Sequence, residues 1–433
     1  MLRKPNIILF ITHDQGQFVG CYNSPQTPNS LRTPNLDKIA KEGIRFTNCF
    51  CTAPQCSPSR GSIQTSLYPH QNGLMGLVDR GWTLPPDNKT LPMYLKEYGY
   101  TTHLIGLQHE SRDINTLGYD IYTKRRREFS YSCKKMENQY LDFLKEHKND
   151  TKPFYVCIGT WEVHRPFDGW GIPINPSKVS VPPYLPDNEM IRDDLANYYS
   201  AIHVVDKSIG KVLNHLDDLG LRGNTLFCFT TDHGEPFPKA KCTLYDPGIK
   251  TTLMMSYPPL ENFNNGKVAN QLISNLDLLP TFLDLIGTKI PKSIEGKSFL
   301  QSIQNFEEVF RTEIFTEKTF HEYYDPIRSI RTERYKYIIN FEKMNQLYQI
   351  DSFTAHDPAG IYIEKLINSP RSDDEFYDLK KDPAESSNKV NDPSYQNIIM
   401  ELKSKLNNWM KNTNDPILRG KIEDQRTEPL KRY

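Results

Sequence analysis

The chain has no long uninterrupted apolar run, no excess of either charge, no regular cysteine spacing and no low-complexity tract. Each absence excludes something. No stretch is long enough to cross a bilayer. Met1-Leu2-Arg3-Lys4-Pro5 leads into the first apolar segment without the apolar core of a secretory leader, so a cytoplasmic protein away from membranes is expected. Lys and Arg total 53, as do Asp and Glu, which leaves no global field to attract nucleic acid or a membrane surface. A local pocket for an anion is compatible with that balance. The eight cysteines form no CxxC pair, and Cys157 and Cys228 lie in apolar runs, as reduced thiols would.

What is present is size and alternation. With 433 residues, 37% of them hydrophobic, the chain can bury a large core and form more than one domain. Apolar runs at 6–12, 101–105, 154–160, 225–231 and 251–256 read as buried strands. Helical patterns lie between or after them, at 91–98, 137–146, 193–219 and 275–286. This alternation predicts an α/β fold, a large mainly parallel sheet flanked by helices, over residues 1–305. The polar stretch 301–308 marks a boundary. Beyond it, residues 327–341 alternate charged with apolar side chains, and 395–410 is amphipathic. A smaller α+β domain with an antiparallel sheet is therefore expected over 306–433.

Three segments concentrate chemistry-bearing residues. The first apolar run ends in His13-Asp14, and the run at 225–231 ends in Asp232-His233. In open parallel sheets the C-terminal strand edge is where ligands bind. An aspartate there can also cap a helix, but two of them, each beside a histidine, suggest a divalent cation held by carboxylate oxygen. Imidazole from His13 or His233 would shift the preference towards Mn, Fe or Zn. Between the pairs lies Cys56-Ser57-Pro58-Ser59-Arg60. Proline near a helix start places outward N–H groups beside Cys56, which favours an anion, and Arg60 one turn on would be a planar anion clamp. His109 and His164 each follow a strand and are placed to act as acid, base or anion ligand. Lys241, like Lys239, could reach the same edge or stay a solvated loop residue. These features together describe a metal-dependent hydrolase acting on an anionic group.

The pentapeptide at 56–60 resembles the signature of the sulfatases, members of the alkaline-phosphatase-like superfamily. The likeness runs nearly end to end: Thr33-Pro34-Asn35-Leu36-Asp37 and Gly43-Ile44-Arg45-Phe46, then Leu276 to Thr281 and Gly296 to Leu300, then Phe376-Tyr377-Asp378-Leu379 with Asp382-Pro383. Within that family the chain is most similar to heparan N-sulfatase (sulfamidase)-like members, through His70-Gln71-Asn72-Gly73, Pro236-Phe237-Pro238, Leu244 to Gly248, His321-Glu322, Pro326 to Ser329 and Asn414-Asp415-Pro416. The resemblance implies that a separate maturation enzyme oxidises Cys56 to formylglycine (3-oxoalanine). It implies one divalent metal, calcium first, held by His13, Asp14, residue 56, Asp232 and His233. Arg60, His109, His164 and Lys241 would stabilise sulfate or shuttle protons, and the substrate would be a sulfated saccharide, as ester or sulfamate. The number of chains in an assembly is left open.

The chain departs from that pattern at several positions. His13-Asp14 and Asp232-His233 stand where Asp-Asp and Asp-Asn are usual, Leu107 where a lysine is usual, and Thr65-Ser66 where Thr-Gly is usual. Trp161 replaces a common histidine. Two other readings remain: a phosphonate monoester or phosphodiester hydrolase of the same superfamily, and a catalytically inert glycan-binding protein.

Overall fold

The computed structural model describes residues 4–22, 30–123, 131–167, 171–172, 174–305, 309–344 and 370–425. The expected boundary at 305/306 abuts residues 306–308, and the end of the polar tail is 426–433; both segments lie outside the described residues.

The centre of the molecule is strand β1 (Asn6–Thr12), a fully buried strand flanked on both sides by parallel partners. Its neighbours are β6 (Phe154–Gly159) and β7 (Thr225–Thr231), with Ile7 level with both Tyr155 and Leu226. Among the described residues the sheet has eight strands, in the order β10-β2-β9-β7-β1-β6-β4-β5. The remaining members are β2 (Ile44–Phe46), β4 (Thr101–Gly106), β5 (Ile121–Tyr122), β9 (Leu253–Ser256) and β10 (Lys267–Ala269). Only β9 runs against its neighbours, so the sheet is mainly parallel, as the alternation implied.

A parallel sheet must be covered on both faces, and the pleat of β1 shows how. Ile8 and Phe10 join a core with helices α1 (Pro34–Glu42), α5 (Cys133–Glu146) and α6 (Glu189–Asp218). Ile7, Leu9 and Ile11 point the other way, onto α4 (Leu91–Glu97) and α8 (Leu278–Leu285). Helices α5 and α6 begin upstream of their sequence-based limits because Ser132 and Asn188 cap them through their side chains.

A three-stranded sheet of β3 (Cys49–Phe50), β8 (Lys250–Thr251) and β11 (Ile273–Ser274) was not anticipated; its strands are too short to carry a pattern. The second large unit is antiparallel, in the order β12 (Glu313–Phe320), β13 (Tyr324–Thr332), β14 (Tyr335–Asn340), β15 (Asp374–Asp378). One face, with Ile330, Tyr337 and Phe376, receives Leu402, Leu406 and Trp409 of α9 (Gln396–Asn412). The other, with Ile314, Ile327 and Ile338, packs on Phe50, Leu244 and Ile249 of the first domain. Among the described residues no helix is long and apolar enough to cross a membrane, and all eight cysteines are free thiols.

Candidate active site

The ends of β1, β6 and β7 meet at one edge of the sheet, and backbone bonds tie the loops that leave it. His13 N–H donates to the Glu162 carbonyl (3.1 Å), Val163 N–H to His13 (2.9 Å) and Asp232 N–H to Thr12 (3.2 Å). A Cβ on Gly159 would lie 2.0 Å from the Leu107 carbonyl, so glycine there lets the segments carrying His109 and His164 turn away side by side. Asp14 adopts the left-handed conformation (φ 52°), one that aspartate tolerates better than most residues.

Five donor groups converge: His13, Asp14, Cys56, Asp232 and His233 are all buried and offer ligand atoms within 4.8 Å of one another. Asp14 Oδ1 lies 2.9 Å from His13 Nδ1 and 3.0 Å from His233 Nε2. Cys56 Sγ is 3.4 Å from His233 Nε2, 3.7 Å from His13 Nδ1 and 3.8 Å from Asp14 Oδ1. The His233 ring is oriented from behind: Nδ1 faces the Gly234 carbonyl at 2.9 Å and must be its donor, leaving the Nε2 lone pair for the cluster. Cys56 opens helix α2 (Cys56–Thr65), whose first turn Asp232 helps to fix, since Ser59 Oγ donates to the Asp232 carbonyl.

The electrostatics agree with a cation site. Burial opposes charge on Asp14, yet Lys241, His164 and His233 hold its carboxyl well below the usual range. Asp232 is pulled down to about 2 despite burial, by His233, His13 and Arg60. Burial drives His13 down to about 3 against the pull of Asp232 and Asp14, so its imidazole is neutral at pH 7 and able to ligate. Two anionic carboxylates and neutral imidazole nitrogen, all on buried side chains, fit one divalent cation well.

Lys241 Nζ donates to Asp14 Oδ2 (2.7 Å) and lies 3.3 Å from His164 Nε2. His164 Nδ1 faces the Arg165 carbonyl at 2.6 Å, which fixes its tautomer and turns Nε2 to the lysine. Lys239 goes elsewhere, to the carbonyls of Ala384 and Glu385. Arg60 is placed differently from an anion clamp at the helix mouth. Its Nε donates to Asp232 Oδ2 (3.0 Å) and its Nη2 to the Thr12 carbonyl (3.4 Å), so it braces a carboxylate of the cluster. Leu107 is buried in the hydrophobic core under the sheet. Trp161 packs against both His13 and His164, at ring-centroid distances of 5.5 and 4.5 Å.

A narrow cleft of about 40 Å³ opens over Cys56, His109, Trp161, His164 and Lys241. Its outer wall is made by Leu77, Asp79, Arg80, His321 and Glu322. Asp79 and Arg80 carried no signal in the sequence, because they belong to a short turn with no strand end or helix start to mark them. Glu110 was likewise missed; it is buried behind His109 and accepts that residue's N–H (2.8 Å).

Comparison with known proteins follows the same lines. The sulfatase family model matches residues 5–288, and the model for the C-terminal part of N-sulphoglucosamine sulphohydrolase matches 235–373. An ulvan-active sulfatase of Formosa agariphila is 31% identical, over 95% of this chain and 81% of that protein. Human N-sulphoglucosamine sulphohydrolase is 28% identical, over 96% of this chain and 91% of its own. A solved structure in complex with its substrate D-glucosamine-2-N,6-O-disulfate superposes with a TM-score of 0.75 at 21% identity, covering 98% of this chain and 100% of that one.

Proposed function

The chain belongs to the sulfatase family, and from that premise we propose that it hydrolyses a sulfate ester or sulfamate on a saccharide and releases inorganic sulfate. One observation carries the reading: Cys56 heads a helix inside a buried cluster of two carboxylates and two imidazoles, under a cleft lined by His109, His164 and Lys241. Relatives named for ulvan and for N-sulphoglucosamine support a saccharide as the sulfate carrier.

Residue 56 acts after oxidation to formylglycine and hydration of the aldehyde. Asp14, Asp232, His13 and His233 would hold the divalent cation, which polarises the sulfate and acidifies the attacking hydroxyl when bound. Calcium suits the two carboxylates, whereas the two imidazoles favour Mn, Fe or Zn. One hydroxyl of residue 56 forms a bond to sulfur as the bond from sulfur to the sugar oxygen or nitrogen breaks. Lys241, 2.7 Å from Asp14 Oδ2, presents positive charge to the sulfate oxygens. His164 Nε2, oriented by the bond from Nδ1, is the atom that exchanges a proton with the leaving group. Loss of a proton from the second hydroxyl then breaks the C–O bond to sulfate and restores the aldehyde, and water rehydrates it.

Peptide mass spectrometry across residue 56, on protein made with a maturation enzyme, tests the nucleophile. Metal analysis of the same sample identifies the cation. The matured protein should release sulfate from sulfated saccharides with a larger kcat/KM than for phosphodiesters or phosphonate monoesters. An unconverted Cys56 in active protein, or a larger kcat/KM for the phosphorus esters, would overturn the reading.

A further inference from the structure

Outside the sulfate-binding floor the cleft has a rim built from two distant parts of the chain. One side is the turn Val78–Arg80, the other the β12–β13 turn with His321 and Glu322. Arg80 Nη2 donates to Glu322 Oε1 across the cleft (2.8 Å), and Asp79 stands beside it with 38% of its side chain exposed. Both sides are fastened to the residues that flank Cys56. Gln55 Nε2 donates to the Phe320 carbonyl (2.6 Å), next to His321, and Val78 N–H donates to Ser57 Oγ (3.1 Å). Trp82 packs on Phe320 beneath the rim, with ring centroids 4.9 Å apart. The rim is therefore held in fixed register with the nucleophile, where the group bonded to sulfate must lie.

Carboxylates outnumber cationic side chains in the acid and guanidinium groups of this rim. Two carboxylates, Asp79 and Glu322, flank a single guanidinium, and Glu322 is 9% exposed, so desolvation strengthens its interactions with anything that enters. Carboxylates accept hydrogen bonds from sugar hydroxyls and repel a second anion. We infer that Asp79, Arg80 and Glu322 form the leaving-sugar subsite, and that the sugar face directed at them carries hydroxyl groups and no second sulfate or carboxylate. This inference rests on the saccharide reading above. It adds which sugars are accepted: those whose only anionic group near the cleft is the sulfate being removed.

The test compares matured wild type with Glu322→Gln and Asp79→Asn on three substrates: an aryl sulfate, monosulfated hexosamines, and the same hexosamines with a second sulfate. Aryl sulfate turnover reports the sulfate chemistry by itself, so its loss in the wild type would strike the function proposed above and not the rim. Wild type should favour the monosulfated sugar over its disulfated counterpart at least tenfold in kcat/KM. Glu322→Gln should lower kcat/KM for the monosulfated sugar about tenfold more than for the aryl sulfate, mainly through KM, and narrow the mono-to-disulfated ratio. Asp79→Asn, at an exposed position that tolerates substitution, should narrow the same ratio without depending on the fold of the buried glutamate. Equal turnover of both sugars by wild type would overturn the inference. So would a ratio left unchanged by both variants, or losses equal for sugar and aryl sulfate.

Discussion

Among the described residues, two clusters bring buried histidine and carboxylate atoms within ligand distance, and only one of the two has the character of a metal site. In the first, at the strand ends, Lys241 and Arg60 touch the outer oxygens, Asp14 Oδ2 and Asp232 Oδ2. The inner oxygen Asp14 Oδ1 faces two imidazoles and a thiol. In the second, His70, Glu317 and Asp415 meet where the two domains join. There Arg328 occupies the middle: it forks onto Asp415 (2.6 and 3.0 Å), and its Nε lies 3.8 Å from Glu317 Oε2. His70 closes the other side, with Nδ1 on Glu317 Oε2 and its N–H on Oε1 (2.8 Å). In the second cluster a guanidinium fills the space beside the carboxylates, whereas in the first Lys241 and Arg60 pair the outer oxygens and leave Asp14 Oδ1 turned to the imidazoles and the thiol. A list of buried histidines and carboxylates therefore does not identify a metal site; the position of the nearest guanidinium does.

The comparison predicts a division of labour, and the largest effect belongs to the floor. Cys56→Ala should reduce sulfate release by on the order of 10⁴-fold or more, with thermal unfolding of the protein little changed. Residual activity within tenfold of wild type would place the nucleophile elsewhere. At the domain junction the expectation is reversed. Arg328→Met leaves Asp415 and Glu317 buried without their cation, which should cost about 3–5 kcal/mol by denaturant unfolding. The folded fraction should keep its kcat. If this variant unfolded like wild type but lost turnover, the two clusters would have exchanged roles.

Acid sharpens the distinction further. Asp325, in the same C-terminal domain, is held by Lys318 (2.7 Å) and Arg371 (2.6 Å). Lys318 and then Arg371 overcome the effect of burial and lower its carboxyl to about 2. A carboxylate lowered on folding contributes stability that is present above its unfolded value, near 4, and is lost as pH falls through the folded one. Wild type should therefore lose about 2 kcal/mol from this residue between pH 4 and pH 2. Asp325→Asn should flatten that part of the stability profile. An unaltered acid limb would mean that Asp325 keeps an ordinary carboxyl in the folded protein.

The floor was far more legible in the sequence than the junction, for a physical reason. His13-Asp14 and Asp232-His233 stand at the ends of apolar runs, so a local pattern fixes their place at the C-terminal sheet edge. Cys56 was marked by the proline behind it. Spacing did not separate Lys241 from Lys239, and only the family resemblance pointed to Lys241, because which of the two turns inward depends on where the carbonyls of 384 and 385 lie. Arg328 and Asp415 are 87 residues apart, and Arg80 and Glu322 are 242 apart. Such pairs exist only once distant parts of the chain have packed. Helix starts were misplaced for a smaller cause, the capping side chains of Ser132 and Asn188 just upstream of the periodic stretch.

The smallest expected effect concerns the segment that joins the clusters. Helix α2 starts at Cys56 in the floor and is capped by Ser66, four residues before His70 at the junction. Ser66 has left-handed backbone (φ 58°) and caps the helix through its N–H to Ser62, a position that glycine fills without strain. A non-glycine residue there costs roughly 1–2 kcal/mol. Its side chain offsets that cost: Oγ donates to the Leu276 carbonyl (2.7 Å) and accepts from Gly296 N–H (3.2 Å), each worth about 1 kcal/mol net. Ser66→Gly exchanges strain for hydrogen bonds, so unfolding free energy should stay within about 1 kcal/mol of wild type. Turnover and the converted fraction of Cys56 should be unchanged if the clusters are independent. A tenfold fall in either, at unaltered stability, would show that the helix end helps to place the nucleophile and that the two regions are coupled through α2.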